Sequence, residues 1–299
     1  MSHPTYVFGS HQIESFTKDD LQALLDILKS RGIRNIDTAR IYGDTFAPRA
    51  LTGSSLKDGI QTSLSLLGTE KVDIYYLHAP DEATPIEETV DAIQELHRQG
   101  KFERFGLSNF LPDDVRKIYA YAKSKGGVVP SVYQGNYNAF ARTIEQDLFP
   151  ILRELGIAFY AYSPLAGGFF AKQPDDLESK KAEGRFDPST FGGKMYDTMY
   201  NKPAVIEALR QWNRIAESAG DSGVNLAYRW AVFNSKLDAG LGDAIILGAS
   251  RPAQLEKTLS ALDAGPLKSE TVQQIEQLWK LMEKDAPLDN YHSFAKASM

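Results

Sequence analysis

Apolar positions along the chain alternate between short β-rich runs and stretches with a period near 3.6, so that nearly every run is followed by an amphipathic helix. Tyr6 to Phe8 is the first run. It precedes Thr17-Lys-Asp-Asp-Leu, where Thr17 caps a helix whose Leu21, Leu24, Leu25 and Leu28 recur at helical spacing. Ile33 to Thr38, Val72 to Leu77, Lys101 to Leu107, Val128 to Tyr133, Ile157 to Tyr162 and Asp243 to Leu247 are the further predicted strands. Helices are expected over Ser55–Leu67, Pro85–Gln99, Asp113–Ser124, Thr143–Leu155, Pro203–Ser218, Asn225–Phe233, Ala253–Leu262 and Ser269–Lys284. Strand-helix alternation implies an α/β fold with a parallel sheet, and polar residues at many strand C-termini imply one shared site at the top of a (β/α)8 TIM barrel. The segment Gln173–Asn201, rich in Asp, Lys, Gly and Pro, interrupts the alternation and is expected to be a long loop over that site. No second domain is expected within residues 1–299.

Composition narrows the partner. A hydrophobic fraction of 42% with 24% charged residues suits a soluble globular chain. The net charge of −6, without a Lys/Arg block, argues against nucleic acid and a membrane surface, so a small molecule is the expected partner. With no cysteine, disulfides, thiolate nucleophiles and Cys-based metal sites are excluded, and no metal centre is expected. The start, MSHPTYVFGSHQ, lacks a signal-like apolar run, so a cytoplasmic location is expected.

Asp37, Tyr42 and His78 are the candidate chemistry: a carboxylate at one strand end, a phenol one loop later and an imidazole at another strand end. Singly, each has a plain structural role, as turn cap, packing ring or hydrogen-bonded histidine. Together they suggest a site.

The runs Asp37-Thr-Ala-Arg-Ile-Tyr42-Gly43, Val72-Asp-Ile-Tyr-Tyr-Leu-His78-Ala-Pro, Gly106-Leu-Ser108-Asn109, Tyr133-Gln134, Tyr160-Ala-Tyr162-Ser163-Pro-Leu-Ala-Gly-Gly and Gly248-Ala-Ser250 together resemble the aldo-keto reductases, in the right order and over nearly the whole chain. The branch they resemble is the aflatoxin-aldehyde reductases. The resemblance implies reduction of an aldehyde or ketone to an alcohol by hydride from NADPH, with Tyr42 as proton donor. A phenol with pKa near 10 is a poor acid unless a positive charge stabilises its phenolate, and in the family a lysine paired with the aspartate, here Asp37, supplies that charge. His78 matches the residue that orients the carbonyl. Ser108, Asn109 and Gln134 match the groups on the nicotinamide carboxamide, and Tyr162 the ring stacked on the nicotinamide. Ser163, Leu165 and Gly167 match the pyrophosphate-binding turn. Gly248, Ser250, Arg251, Gln254 and Lys257 match the segment around the adenosine 2′-phosphate, and Arg251 with Lys257 favours NADPH over NADH.

One departure bears on activity. The family's third strand ends in the catalytic lysine, whereas here Thr45-Phe46-Ala47-Pro48 resembles the end of that strand with Phe46 at the lysine's place. Consecutive parallel strands need a crossover of roughly a dozen residues, and only three separate Tyr42 from Phe46. The barrel is therefore expected to be irregular or incomplete at its third βα unit. Either about two dozen residues are absent from the sequence, or the barrel is remodelled, or reductase chemistry is lost. Lys57 and Lys71 stand at the wrong ends of their elements to substitute, while Arg40 or Arg49 offers only an imperfect charge in a remodelled site. Two rival functions follow: a non-redox lyase, isomerase or cyclase on the remodelled scaffold, or a catalytically silent NADPH-binding protein. Substrate specificity is assigned to loops such as Gln173–Asn201 and to the tail Asp285–Met299, with Tyr291 and Phe294.

Overall fold

A computed structural model describes residues 3–39 and 50–294. Seven strands fall within them: β1 (Thr5–Gly9), β2 (Asn35–Asp37), β3 (Val72–Leu77), β4 (Phe102–Ser108), β5 (Pro130–Asn136), β6 (Ala158–Tyr162) and β7 (Ala244–Gly248). Their order in the sheet is β2-β1-β7-β6-β5-β4-β3. This is the sequential order of a (β/α) barrel, with β2 and β3 as its two ends. The described strands thus part company at the position where a third strand would follow β2, the expected place of irregularity. The fold is α/β, of the irregular TIM-barrel kind.

The chain forms two compact units. One comprises residues 3–39, Asn136–Glu145 and residues 161–294; the other comprises residues 50–135 and Gln146–Tyr160. In the first, β1 pairs in parallel with β2 and β7, and the register aligns Gly9 with both Asp37 and Gly248. In the second, β4 pairs in parallel with β3 and β5, aligning Leu77, Leu107 and Tyr133 across three strands. Parallel strands buried on both faces need near-continuous apolar sequence. β7 meets this with Ala244, Ile245, Ile246 and Leu247, all buried.

Helix boundaries follow local chemistry. Thr17 and Asp20 form a capping box at the start of the Lys18–Ser30 helix: the threonine hydroxyl accepts from the Asp20 N–H, and the Asp20 carboxylate accepts from the Thr17 N–H. Thr52 caps Gly53–Leu67 in the same position by accepting from the Ser55 N–H at 3.3 Å.

Three sequence expectations change. Thr143–Leu155 is two helices, Ile144–Asp147 and Phe149–Leu155, because Pro150 lacks an N–H and is accommodated only in the first turn of a new helix. The Asn225–Phe233 helix begins at Gly223, capped by Ser222, and passes into a wider π turn at Trp230–Asn234. Gln173–Asn201 is no structureless loop: it contains helices at Pro174–Glu178 and Phe191–Tyr200, with a 3-10 turn at Gly184–Phe186. Aromatic residues supply the packing: its Phe186, Tyr196 and Tyr200 form, with Phe169 just ahead of it, a contiguous series of ring contacts at 5.2 to 6.4 Å. Among the described residues no helix is long and apolar enough to cross a membrane.

Candidate active site

In the first unit, three parallel strands end side by side at Asp37, Gly9 and Gly248. The Asp37 carbonyl accepts from the Ser10 N–H at 2.9 Å, which holds the start of the β1 loop beside the carboxylate-bearing strand end. Gly248 is exposed, and a Cβ built there would meet no atom within 4 Å. The helix Pro252–Leu262 starts immediately afterwards, with Arg251 as its extended N-cap residue. The Gln254 side-chain oxygen turns back to accept from the Ser250 N–H at 2.9 Å and from the Ser250 hydroxyl at 2.8 Å, so the segment before the helix is locally fixed. Arg251, Gln254 and Lys257 are all exposed on this first turn and a half, where unsatisfied N–H groups and the helix dipole attract anions.

The segment after β6 has unusual backbone geometry. Ser163, Ala166, Gly167 and Gly168 have φ of 54°, 52°, 68° and 102°. Two of these four left-handed positions carry side chains, which cost energy there and persist only where surrounding bonds over-determine them. Gly167 permits close approach by the Tyr196 ring, because a Cβ would stand 2.1 Å from its Cε1. At Gly168 a Cβ would meet nothing within 4 Å, so the backbone there is bare. The Ser163 carbonyl accepts from the Ala166 N–H at 2.8 Å, and the Gly168 N–H donates to the Leu165 carbonyl at 2.9 Å. Tyr162, at the end of β6, is anchored by the Tyr137 N–H, which donates to its carbonyl at 3.1 Å.

In the second unit, the register that pairs Leu77 with Leu107 and Tyr133 places His78, Ser108 and Gln134 in one row, at the ends of β3 and β4 and two residues before the end of β5. Ser108 and Asn109 are buried. The Asn109 side-chain amide donates to the His78 carbonyl at 2.8 Å and to the Ser108 hydroxyl at 3.1 Å, with Asn109 itself at φ 62°. Burial pushes the His78 imidazole below its ordinary pKa of 6.5, so it is neutral at pH 7 and able to donate from one nitrogen while accepting at the other.

Thus Asp37, Tyr162, Ser163, Leu165, Gly167, Gly248, Ser250, Arg251, Gln254 and Lys257 gather in the first unit, and His78, Ser108, Asn109 and Gln134 in the second. Tyr42 lies outside the described residues, as do Phe46, Arg40 and Arg49. Lys71 precedes β3, at the end opposite His78, and pairs with Glu103; Lys57 is exposed on the Gly53–Leu67 helix.

Sequence reasoning passed over Arg185. This half-buried cation sits on the 3-10 turn within Gln173–Asn201, 3.3 Å from His11 Nδ1 and 3.5 Å from the hydroxyl of Tyr196, the ring that covers Gly167. Among the described residues no carboxylate pairs with it within 4 Å. Burial, with the Arg185 charge second, holds the His11 imidazole below its ordinary pKa. A lone Arg between Gly184 and Phe186 carries no periodic signal, so only folding reveals its neighbours.

The geometry defines a class: a parallel-stranded α/β protein with polar groups at strand C-termini and, within its first unit, a strained glycine turn and a cationic helix start. The aldo/keto reductase family model matches residues 45–280. The chain is 40% identical over 286 residues to the oxidoreductase sirO of Leptosphaeria maculans, covering 88% of this chain and 86% of that protein. It is also 40% identical over 248 residues to aflatoxin B1 aldehyde reductase member 2 of Rattus norvegicus, covering 80% and 66%. An aldo-keto reductase of Pseudocercospora fijiensis is 35% identical over 291 residues, covering 87% and 97%. The chain belongs to the aldo/keto reductase family, and its general chemistry is that of an oxidoreductase.

Proposed function

We propose that this single-domain protein is an NADPH-dependent reductase of small aldehydes or ketones. The observation that carries the reading is the combination, in one unit, of the left-handed turn Ser163–Gly168 with bare backbone at Gly168 and Gly248 and exposed cations at the Pro252 helix start. An extended diphosphate needs both features, because its charge is best met by backbone N–H groups approached closely and by cations nearby. The residues present therefore fit the cofactor. Ser163, Leu165 and Gly167 would hold the pyrophosphate, with Arg185 adding positive charge. Gly248, Ser250, Arg251, Gln254 and Lys257 would hold the adenosine 2′-phosphate, and Ser108, Asn109, Gln134 and Tyr162 the nicotinamide.

When bound, the cofactor supplies the hydride. The chain's own residues orient the carbonyl and deliver the proton. Neutral His78 donates a hydrogen bond to the substrate oxygen, and the bond from Asn109 to its backbone fixes the strand end that carries it. Tyr42 gives its phenolic proton to the developing alkoxide, and Asp37 anchors whatever cation lowers that phenol's pKa.

The test is oxidation of NADPH over a broad panel of aldehydes and ketones, followed at the nicotinamide absorbance, with Tyr42→Phe as control. Carbonyl-dependent oxidation that vanishes in Tyr42→Phe, while NADPH still binds, supports the assignment. Absence of turnover in the parent defeats it. A second reading, an NADPH-binding protein without turnover, is favoured by the sequence after Tyr42, where no lysine occurs before Lys57. Tight NADPH binding with no carbonyl-dependent oxidation is its signature.

A further inference from the structure

Asn138 lies beyond the end of β5, is fully buried, and belongs to none of the cofactor-binding segments above. Its side-chain oxygen accepts from the Phe140 N–H at 2.9 Å, which fixes which way the amide faces. Its NH2 group is thereby aimed at the Ser163 carbonyl, to which it donates at 3.1 Å. The same group lies 3.4 Å from the Asn136 side-chain oxygen and 3.4 Å from the Tyr200 hydroxyl. Asn136 in turn donates to the Leu288 carbonyl at 3.4 Å. Tyr200 stacks on Phe169, which follows the glycine pair, with ring centroids 5.2 Å apart. A buried polar network of this kind is retained only when its members are satisfied, and it then imposes one conformation on whatever it touches.

What it touches is the strained turn. Ser163 and Ala166 sit in a backbone region that residues with a Cβ avoid, and the shared acceptor of the Asn138 and Ala166 donors is the Ser163 carbonyl. Removing the Asn138 donor deletes the one side-chain bond to that carbonyl among the described residues and leaves the left-handed conformation with weaker support. We propose that Asn138 is a positioning residue that holds the Ser163–Gly168 turn in its cofactor-ready conformation before NADPH arrives. The proposal rests on the cofactor reading given above. It adds a residue that contacts no cofactor and acts through the Ser163 backbone.

The experiment compares the parent with Asn138→Ala by amide hydrogen exchange without cofactor, NADPH titration and steady-state kinetics. Exchange at the Ala166 and Gly168 amides is expected to quicken about tenfold, the factor for loss of one ordinary buried hydrogen bond. The Kd and KM for NADPH are expected to rise by a similar factor, while kcat at saturating NADPH stays within about twofold, because pre-organisation affects binding rather than the bound state. If Asn138→Ala does not fold, Asn138→Asp keeps the acceptor for Phe140 and removes the amide donor to Ser163, with the same expectation. Tyr200→Phe, which leaves the Asn138–Ser163 bond in place, should leave exchange in the turn unaltered. Unchanged exchange at Ala166 and Gly168 overturns the proposal, as does faster exchange with unchanged NADPH affinity. A parent that binds no NADPH refutes the cofactor reading separately, and exchange in the empty protein still decides whether Asn138 holds the turn.

Discussion

Gly168→Ala separates a turn shaped for a ligand from one that is merely strained. Gly168 has φ 102° and a Cβ there would touch nothing within 4 Å, so the substitution adds backbone strain without collision. A left-handed conformation costs a residue with a Cβ roughly 1–2 kcal/mol, and the reduced freedom of the unfolded chain returns about 0.4–1 kcal/mol. The net loss of stability is therefore about 0–1.6 kcal/mol. Because 102° lies beyond the ordinary left-handed well, the upper half of that range is expected. Gly220 is the control: it has φ 69°, equally open space, and follows the helix Pro203–Ser218 far along the chain from the turn. Both variants should lower the urea midpoint, Gly168→Ala by the larger amount. Only Gly168→Ala should weaken NADPH, by about threefold to tenfold, since a turn that relaxes to shed its strain must be rewound on binding. Equal NADPH affinities in Gly168→Ala and Gly220→Ala, read by fluorescence titration, would refute the assignment of this turn to the cofactor.

Other consequences follow from the charges. Arg251→Ala removes an exposed cation at a helix start, so NADPH affinity should fall by about threefold to tenfold while NADH affinity holds, and added salt should narrow the difference. Burial lowers the His78 pKa from 6.5. The unfolded chain then binds more protons below pH 6.5, so stability at this site is full above that pH and is lost as pH falls toward the folded pKa. Urea midpoints at roughly pH 7.5 and 5.5 should therefore differ less in His78→Gln than in the parent. Arg142 has a side chain only 7% exposed, bonds both Glu145 and Glu276, and lies 5.1 and 5.4 Å from the rings of Trp230 and Trp279. Arg142→Ala leaves Glu145, only 14% exposed, with the Tyr137 hydroxyl as its remaining donor and should cost about 3 kcal/mol in equilibrium unfolding, whereas Arg116→Ala, at an exposed pair with Glu154, should leave the urea midpoint almost unchanged.

Sequence alone determined the strand-helix alternation, because a strand buried on both faces and a helix buried on one leave different periods in the chain. It placed Asp37, His78 and Ser108 at strand ends for the same reason, a polar residue closing an apolar run, whereas β5 runs two residues past Gln134 to Asn136. It also located the discontinuity after β2, since three residues cannot make a crossover. Folding was needed for what depends on residues distant in sequence. Left-handed φ at Ser163 and Ala166 could not be foreseen, because neither residue favours it and the buried amide of Asn138, 25 positions away, bonds the Ser163 carbonyl. Nor could Arg185 be set beside His11, 174 positions off, when its neighbours in sequence say nothing of an anion. Helices in Gln173–Asn201 escaped notice because their glycines and charges read locally as loop, while aromatic contacts with Phe169 supply the burial that outweighs those local preferences. Periodicity records which face of an element is buried; only tertiary structure decides which distant group meets it there.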